Sequence, residues 1–239
     1  MSRKPKTRDP EARNKAAEKF AHERQRPPLN PKTPNQKLYL QALRDPDSPV
    51  IMATGCAGSG KTYIPCTHAA DLMMSAPNLC EKIVLCRANI PTGKSLGAFK
   101  GDADEKLAHW LMPMIDCIRS RLGTNRYENL RSSHQIEYQP LETIRGRSFD
   151  NAYIIVDEAQ QLTIDEVKAI TTRLGENSKL VLMGDLAQSD IRHDSGLGKL
   201  THLTKKHCLP IPIIEFGLED IVRSDACAMF VRLYHQEGI

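Results

Sequence analysis

The stretch VIMATGCAGSGKTYI (residues 50–64) passes from an apolar strand pattern, through a glycine-rich loop, into residues suited to start a helix. Its centre, Gly55-Cys56-Ala57-Gly58-Ser59-Gly60-Lys61-Thr62, is a complete GxxxxGK[ST] in the strand-to-helix setting the motif needs. Glycines let such a loop wrap so that backbone N–H groups point inward at a β-phosphate. The start of the next helix adds the positive end of its dipole. Lys61 is placed to reach β- and γ-phosphates, and the Thr62 hydroxyl to ligate Mg²⁺. A chance glycine-rich turn would lack the flanking strand and helix. The expected ligand is a nucleoside triphosphate with Mg²⁺.

Outward from this loop, the chain of 239 residues has room for one large domain or two small ones. A hydrophobic fraction of 40% and a charged fraction of 26% match an ordinary globular protein. No stretch approaches roughly 18 consecutive apolar residues, so no membrane span is expected. The N-terminus lacks the apolar region of a secretory signal. The 7 cysteines form no CxxC pair, which fits reduced thiols in a cytoplasmic protein better than disulfides or zinc.

Basicity is concentrated at the start. Residues 1–26 hold nine Lys or Arg against four Asp or Glu, and the rest of the chain is close to neutral. Residues 1–32 therefore read as a basic arm, and 33–239 as the folded domain. The arm has two open readings: a contact for nucleic-acid phosphates, or a solvated, partly helical extension.

From Thr33-Pro34 onward the pattern turns regular, beginning with a capped helix over NQKLYLQAL. Strands are expected at 50–55, 82–86, 136–141, 152–157, 179–185 and 211–216. Helices are expected near 61–75, 104–122, 163–174 and 218–236, the third opening on the capping box Thr163-Ile-Asp-Glu166. Alternation of continuous apolar strands with amphipathic helices argues for a mainly parallel sheet covered on both faces.

Two further stretches bear chemistry. AYIIVDEAQQ (152–161) ends a buried strand in Asp157, suited to hold Mg²⁺ through water, and Glu158, suited to orient or deprotonate an attacking water. KLVLMGDLAQSD (179–190) repeats the design with Gly184-Asp185 and Gln188, an amide able to report the γ-phosphate. Taken alone, the second stretch reads equally as a capping Asp and an exposed Gln. Two apolar strand runs lie between the phosphate loop and Asp157, which allows another strand to separate the loop strand from the Asp157 strand.

DEAQ, GDxxQ and Gln36 upstream of the phosphate loop together resemble the N-terminal ATPase core of superfamily 1 helicases. The resemblance to the PhoH family, the phosphate-starvation-inducible ATPases, is closer. It runs through GCAGSGKT (55–62), IVLCRANIPTGKSLGAFKGDADEK (83–106), TIRGRSFDNAYIIVDEAQQLT (143–163), TRLGENSKLVLMGDLAQSD (172–190) and GLEDIVRSDACAMFVRLY (217–234). It implies a single RecA-like P-loop NTPase domain of α/β class that binds ATP and Mg²⁺. By position it implies that Gln36 contacts adenine and that Gln188 senses the γ-phosphate. It further implies that Arg223 is an arginine finger, and that the chain assembles as a homo-oligomeric, hexameric ring. Departures fall at Arg87-Ala88, Phe99-Lys100-Gly101-Asp102 and Gln161, where the family usually has Arg-Pro, LPGD and Asn; none is a phosphate or metal ligand.

Two functions follow. One is an ATPase moving on RNA or single-stranded DNA, gripped through the basic arm, Arg145 and Arg147. The other is a nucleotide-dependent switch or scaffold with slow turnover and no motor activity. A small-molecule kinase would have no use for DEAQ and GDxxQ. One sheet more naturally offers Arg223 to a neighbouring subunit than to its own site.

Overall fold

Unbroken apolar runs such as Ile83-Val84-Leu85 and Ile154-Ile155-Val156 suit strands that are covered on both faces. The structure, a computed structural model, describes residues 27–88, 103–191 and 194–237, with backbone alone at 103–106. The basic stretch 1–26 and positions 89–102 lie outside the described residues.

The strands are β1 (Val50–Gly55), β2 (Lys82–Arg87), β3 (Ile136–Tyr138), β4 (Ala152–Asp157), β5 (Lys179–Gly184) and β6 (Ile213–Phe216). They form one six-stranded sheet in the order β3-β2-β4-β5-β1-β6, with every neighbouring pair parallel. The helices are α1 (Pro34–Arg44), α2 (Tyr63–Ser75), α3 (Ala103–Leu122), α4 (Thr124–Ser132), α5 (Ile164–Thr171), α6 (Gly196–Lys206) and α7 (Asp225–Glu237). This is the RecA-like α/β architecture.

A strand does separate the loop strand from the Asp157 strand, but it is neither of the two that lie between them in sequence. It is β5, which follows β4 and inserts between β4 and β1. The phosphate loop, Asp157 and Asp185 thereby end up at the same edge of three adjacent strands.

Side-chain alternation sorts the core into two layers. Met52, Cys86, Val156 and Leu182 face one side and pack with Val167 and Ile170 of α5 and Leu197 of α6. Their neighbours Ile51, Leu85, Ile155 and Val181, all fully buried, face the other. There Tyr153 meets His68 of α2, and α3 packs on α2 and β2. Full burial of each such Ile or Leu stabilises by about 1.5–3 kcal/mol. Truncating Ile155 to Ala would cost about 2–5 kcal/mol.

Local signals fix several ends. Thr33 Oγ1 accepts from Gln36 N at 3.2 Å, with Pro34 at the first position of α1. Both halves of the Thr163–Glu166 capping box form at α5. Among the described residues, no helix is long and apolar enough to cross a membrane.

Two helices were not legible. α4, TNRYENLRS, carries few apolar residues and buries only Tyr127. α6 opens with two glycines, Gly196 and Gly198, which mask its periodicity. The helix expected near 218–236 is a 3₁₀ turn at Leu218–Asp220 followed by α7 from Asp225.

Candidate nucleotide site

The phosphate loop joins β1 to α2, and Gly55, Gly58 and Gly60 all take positive φ (123°, 85° and 90°). Such a run of left-handed glycines curls the backbone into a cradle that other residues could not adopt without strain. Lys61 Nζ donates to the main-chain oxygens of Gly55 and Cys56 at 2.5 and 2.6 Å. Burial pulls its ammonium below the usual lysine range, while the Asp185 carboxylate leads the groups that oppose this. Thr62 precedes α2 and its hydroxyl makes no capping bond, so it is open to a ligand.

The cradle is gripped from outside by two segments. From α1, Gln36 Nε2 donates to Ser59 O at 2.8 Å, and its Oε1 accepts from Lys32 N at 2.8 Å. From the turn after β6, Val222 N donates to Gly58 O at 3.1 Å. Cys56 Sγ donates to Gly217 O at 3.0 Å. Asp220, fully buried, ties the two segments together. Its carboxylate accepts from Thr33 Oγ1 at 2.5 Å, Asn35 Nδ2 at 2.8 Å and Gly217 N at 2.9 Å.

At the ends of β4 and β5 a second network forms. Asp157 is nearly buried, and desolvation pushes its carboxyl up to about 6, with Arg87 drawing it back down. Glu158 takes a left-handed φ of 54° directly after the strand. Its Oε1 pairs with Arg87 Nη2 at 3.2 Å and its Oε2 accepts from Gln160 Nε2 at 2.6 Å. Gln160 Oε1 in turn accepts from Asp185 N at 3.2 Å, which links the two strand ends. Gln161 Nε2 donates to Gln188 O and to Asp190 Oδ2, both at 3.0 Å. Asp185 Oδ1 accepts from Ala187 N, capping the 3₁₀ turn Leu186–Gln188, while the exposed Gln188 amide donates to Asp185 Oδ2 at 2.8 Å. The plain reading of Asp185 and Gln188 as a cap and an exposed amide therefore describes this geometry.

Expected residues 55–62, Asp157, Glu158 and Gln188 thus cluster at one edge of the sheet. Arg223 is exposed, and its stem lies over Gly58 of the same chain. Gln36 is buried and grips the loop, leaving one amide hydrogen and one lone pair for any base. Arg145 is exposed. Arg147 is held by Glu137 at 2.8 Å and by Gln139 Oε1, and stacks 4.9 Å over the Phe149 ring.

Sequence reasoning missed Arg87, Gln160 and Asp220 as site residues. Gln160 had a signal, two residues after Glu158 in the same motif, whereas Arg87 had only its place at the end of an apolar strand run. Asp220 had none, since its partners Thr33 and Asn35 lie far away in sequence.

The donor set suits a nucleotide with Mg²⁺: an N–H cradle and a lysine for phosphates, a free hydroxyl and an acid for a hard cation. Among the described residues, no three His, Cys, Asp or Glu gather into a metal centre of their own. A cation here would share its coordination with phosphate oxygens.

The chain is similar to known proteins in both fold and sequence. A solved structure, the HK97 bacteriophage large terminase, shares the fold with a TM-score of 0.55 at 15% identity, covering 88% of this chain and 48% of that one. The chain is 34% identical over 209 residues to a PhoH-like protein of Bacillus subtilis, covering 87% of this chain and 64% of that one. It is 33% identical over 211 residues to Protein PhoH of Escherichia coli K12, covering 87% and 58%. The chain thus spans about three fifths of the length of these curated relatives. Residues 28–235 match the family described as PhoH-like protein, and the chain belongs to the PhoH family.

Proposed function

We propose that the chain is a Mg²⁺-dependent ATPase that works in an oligomeric ring on RNA or single-stranded DNA. The observation that carries hydrolysis is the gathering of Lys61, Asp157, Glu158 and Asp185 at the ends of adjacent strands β1, β4 and β5. Lys61 holds phosphate oxygens, and Thr62 and Asp157 supply oxygens for Mg²⁺. Bound Mg²⁺ neutralises charge on the phosphates. Glu158 orients the attacking water and takes its proton. Gln188 reports the γ-phosphate, and Arg223 offers a guanidinium to the transferring group. Adenine is read by what remains of the Gln36 amide.

A second reading, a nucleotide-dependent switch with slow turnover, is favoured by one observation. Arg147, a candidate for gripping a strand, is committed to Glu137 and Gln139. Turnover measured with and without single-stranded RNA and DNA separates the two. The motor predicts stimulation and an ATP-dependent mass well above that of one chain. Unchanged turnover with every strand tested supports the switch.

A further inference from the structure

Arg87 closes β2 in register with Asp157 on the adjacent strand β4. Its terminal nitrogens reach two different elements. Nη1 donates to the Trp110 carbonyl of α3 at 2.7 Å, and Nη2 to Glu158 Oε1 at 3.2 Å. The other Glu158 oxygen accepts from Gln160 Nε2 at 2.6 Å. Both oxygens of the carboxylate are therefore held, one by a cation and one by a neutral amide.

The backbone supports the same aim. In a strand, residues 157 and 158 would point to opposite faces. The left-handed φ of 54° at Glu158 breaks that alternation at once. Such a conformation costs a non-glycine residue about 1 kcal/mol or more and persists only where the surroundings enforce it. Here the Gln161 N–H holds the Glu158 carbonyl, while Arg87 and Gln160 hold its carboxylate. On the far side, the Trp110 carbonyl lies within α3 and accepts the Arg87 bond from outside the helix.

We infer that Arg87 is a positioning residue for Glu158, fixing the catalytic carboxylate against helix α3. The inference rests on the proposed role of Glu158 in hydrolysis. Two acceptors in diverging directions need a planar fork, which an arginine provides and a lysine does not. A salt bridge that merely fastened β2 to β4 would affect stability and leave kcat alone.

The test is steady-state ATP turnover of the full chain as wild type, R87M, R87K, E158Q and E158Q/R87M, with thermal melts alongside. Misplacing a catalytic group by about 1 Å can cost on the order of 100-fold. R87M should therefore lower kcat about 10- to 100-fold, with KM within about twofold. R87K should recover only part of the loss and also serves if R87M folds poorly. Adding R87M to E158Q should change nothing further. Wild-type kcat in R87M beside an inactive E158Q would overturn the inference while leaving the role of Glu158 intact. An equal further drop in the double variant would overturn it too. Wild-type turnover in E158Q would remove the role of Glu158, and this inference with it.

Discussion

The stem of Arg223 lies across Gly58: a Cβ at Gly58 would sit 3.2 Å from Arg223 Cγ and 3.3 Å from Cδ. The guanidinium therefore starts from the phosphate loop of its own chain. Gly58→Ala meets both a crowded neighbour and a φ of 85°. We expect it to weaken ATP binding about 10-fold or more, measured by nucleotide titration. Arg223→Ala should lower kcat and largely spare KM. Mixing Lys61→Ala with Arg223→Ala chains should restore no turnover, whereas recovery in the mixture would show that the arginine serves a neighbouring subunit.

Asp220 is a buried carboxylate whose partners come from both ends of the domain. Removing it leaves Thr33, Asn35 and the Gly217 N–H short of an acceptor. Asp220→Ala should destabilise by about 2–4 kcal/mol in urea unfolding. It should also raise KM for ATP, because the two segments that grip the phosphate loop come apart. An unchanged urea midpoint would contradict this account.

The strands, the phosphate loop and the two carboxylates of DEAQ were readable because each depends on local pattern: apolar runs, glycine spacing, a strand end. What escaped the sequence depends on contacts across the fold. Nothing local shows that β5 inserts between β1 and β4, because strand order is decided by which faces the helices cover. Nor does anything local show that the turn before Arg223 bonds to the phosphate loop, Val222 N donating to Gly58 O. Asp220 reads as a surface acid until Thr33 and Asn35 arrive from nearly two hundred residues away.

Gln160 joins the two carboxylate-bearing strand ends, and Gly184 leaves it room. A Cβ at Gly184 would fall 2.1 Å from Gln160 Oε1 and 2.9 Å from its backbone nitrogen. Gly184→Ala must displace the amide that holds Glu158. Its kcat should fall about 10-fold with KM little changed, as expected for a misplaced catalytic group. A wild-type kcat would show that Gln160 is dispensable to Glu158.

His68 should make stability pH-dependent. Its Nδ1 lies 3.2 Å from Tyr153 Oη. Burial, then the charges of Lys179 and Arg44, depress its pKa from 6.5 to about 4, with Asp71 opposing. Between those values the unfolded chain binds the proton and the folded one does not. The His68 contribution is thus intact above about pH 6.5 and is lost as pH falls toward 4, by up to about 3 kcal/mol. Urea midpoints of wild type and His68→Asn at pH 7.5 and pH 5 isolate it from the carboxylates. The variant should show the smaller drop, and equal drops would contradict the assignment.

Whether Glu158 drives hydrolysis in a site whose phosphate grip is Lys61 is tested most directly by measuring ATP·Mg²⁺ binding and turnover together in wild type, Glu158→Gln and Lys61→Ala. We expect Glu158→Gln to bind ATP about as tightly as wild type while turnover falls by about 100-fold or more. Lys61→Ala should lose binding or turnover outright. Near-wild-type hydrolysis in Glu158→Gln would contradict the account.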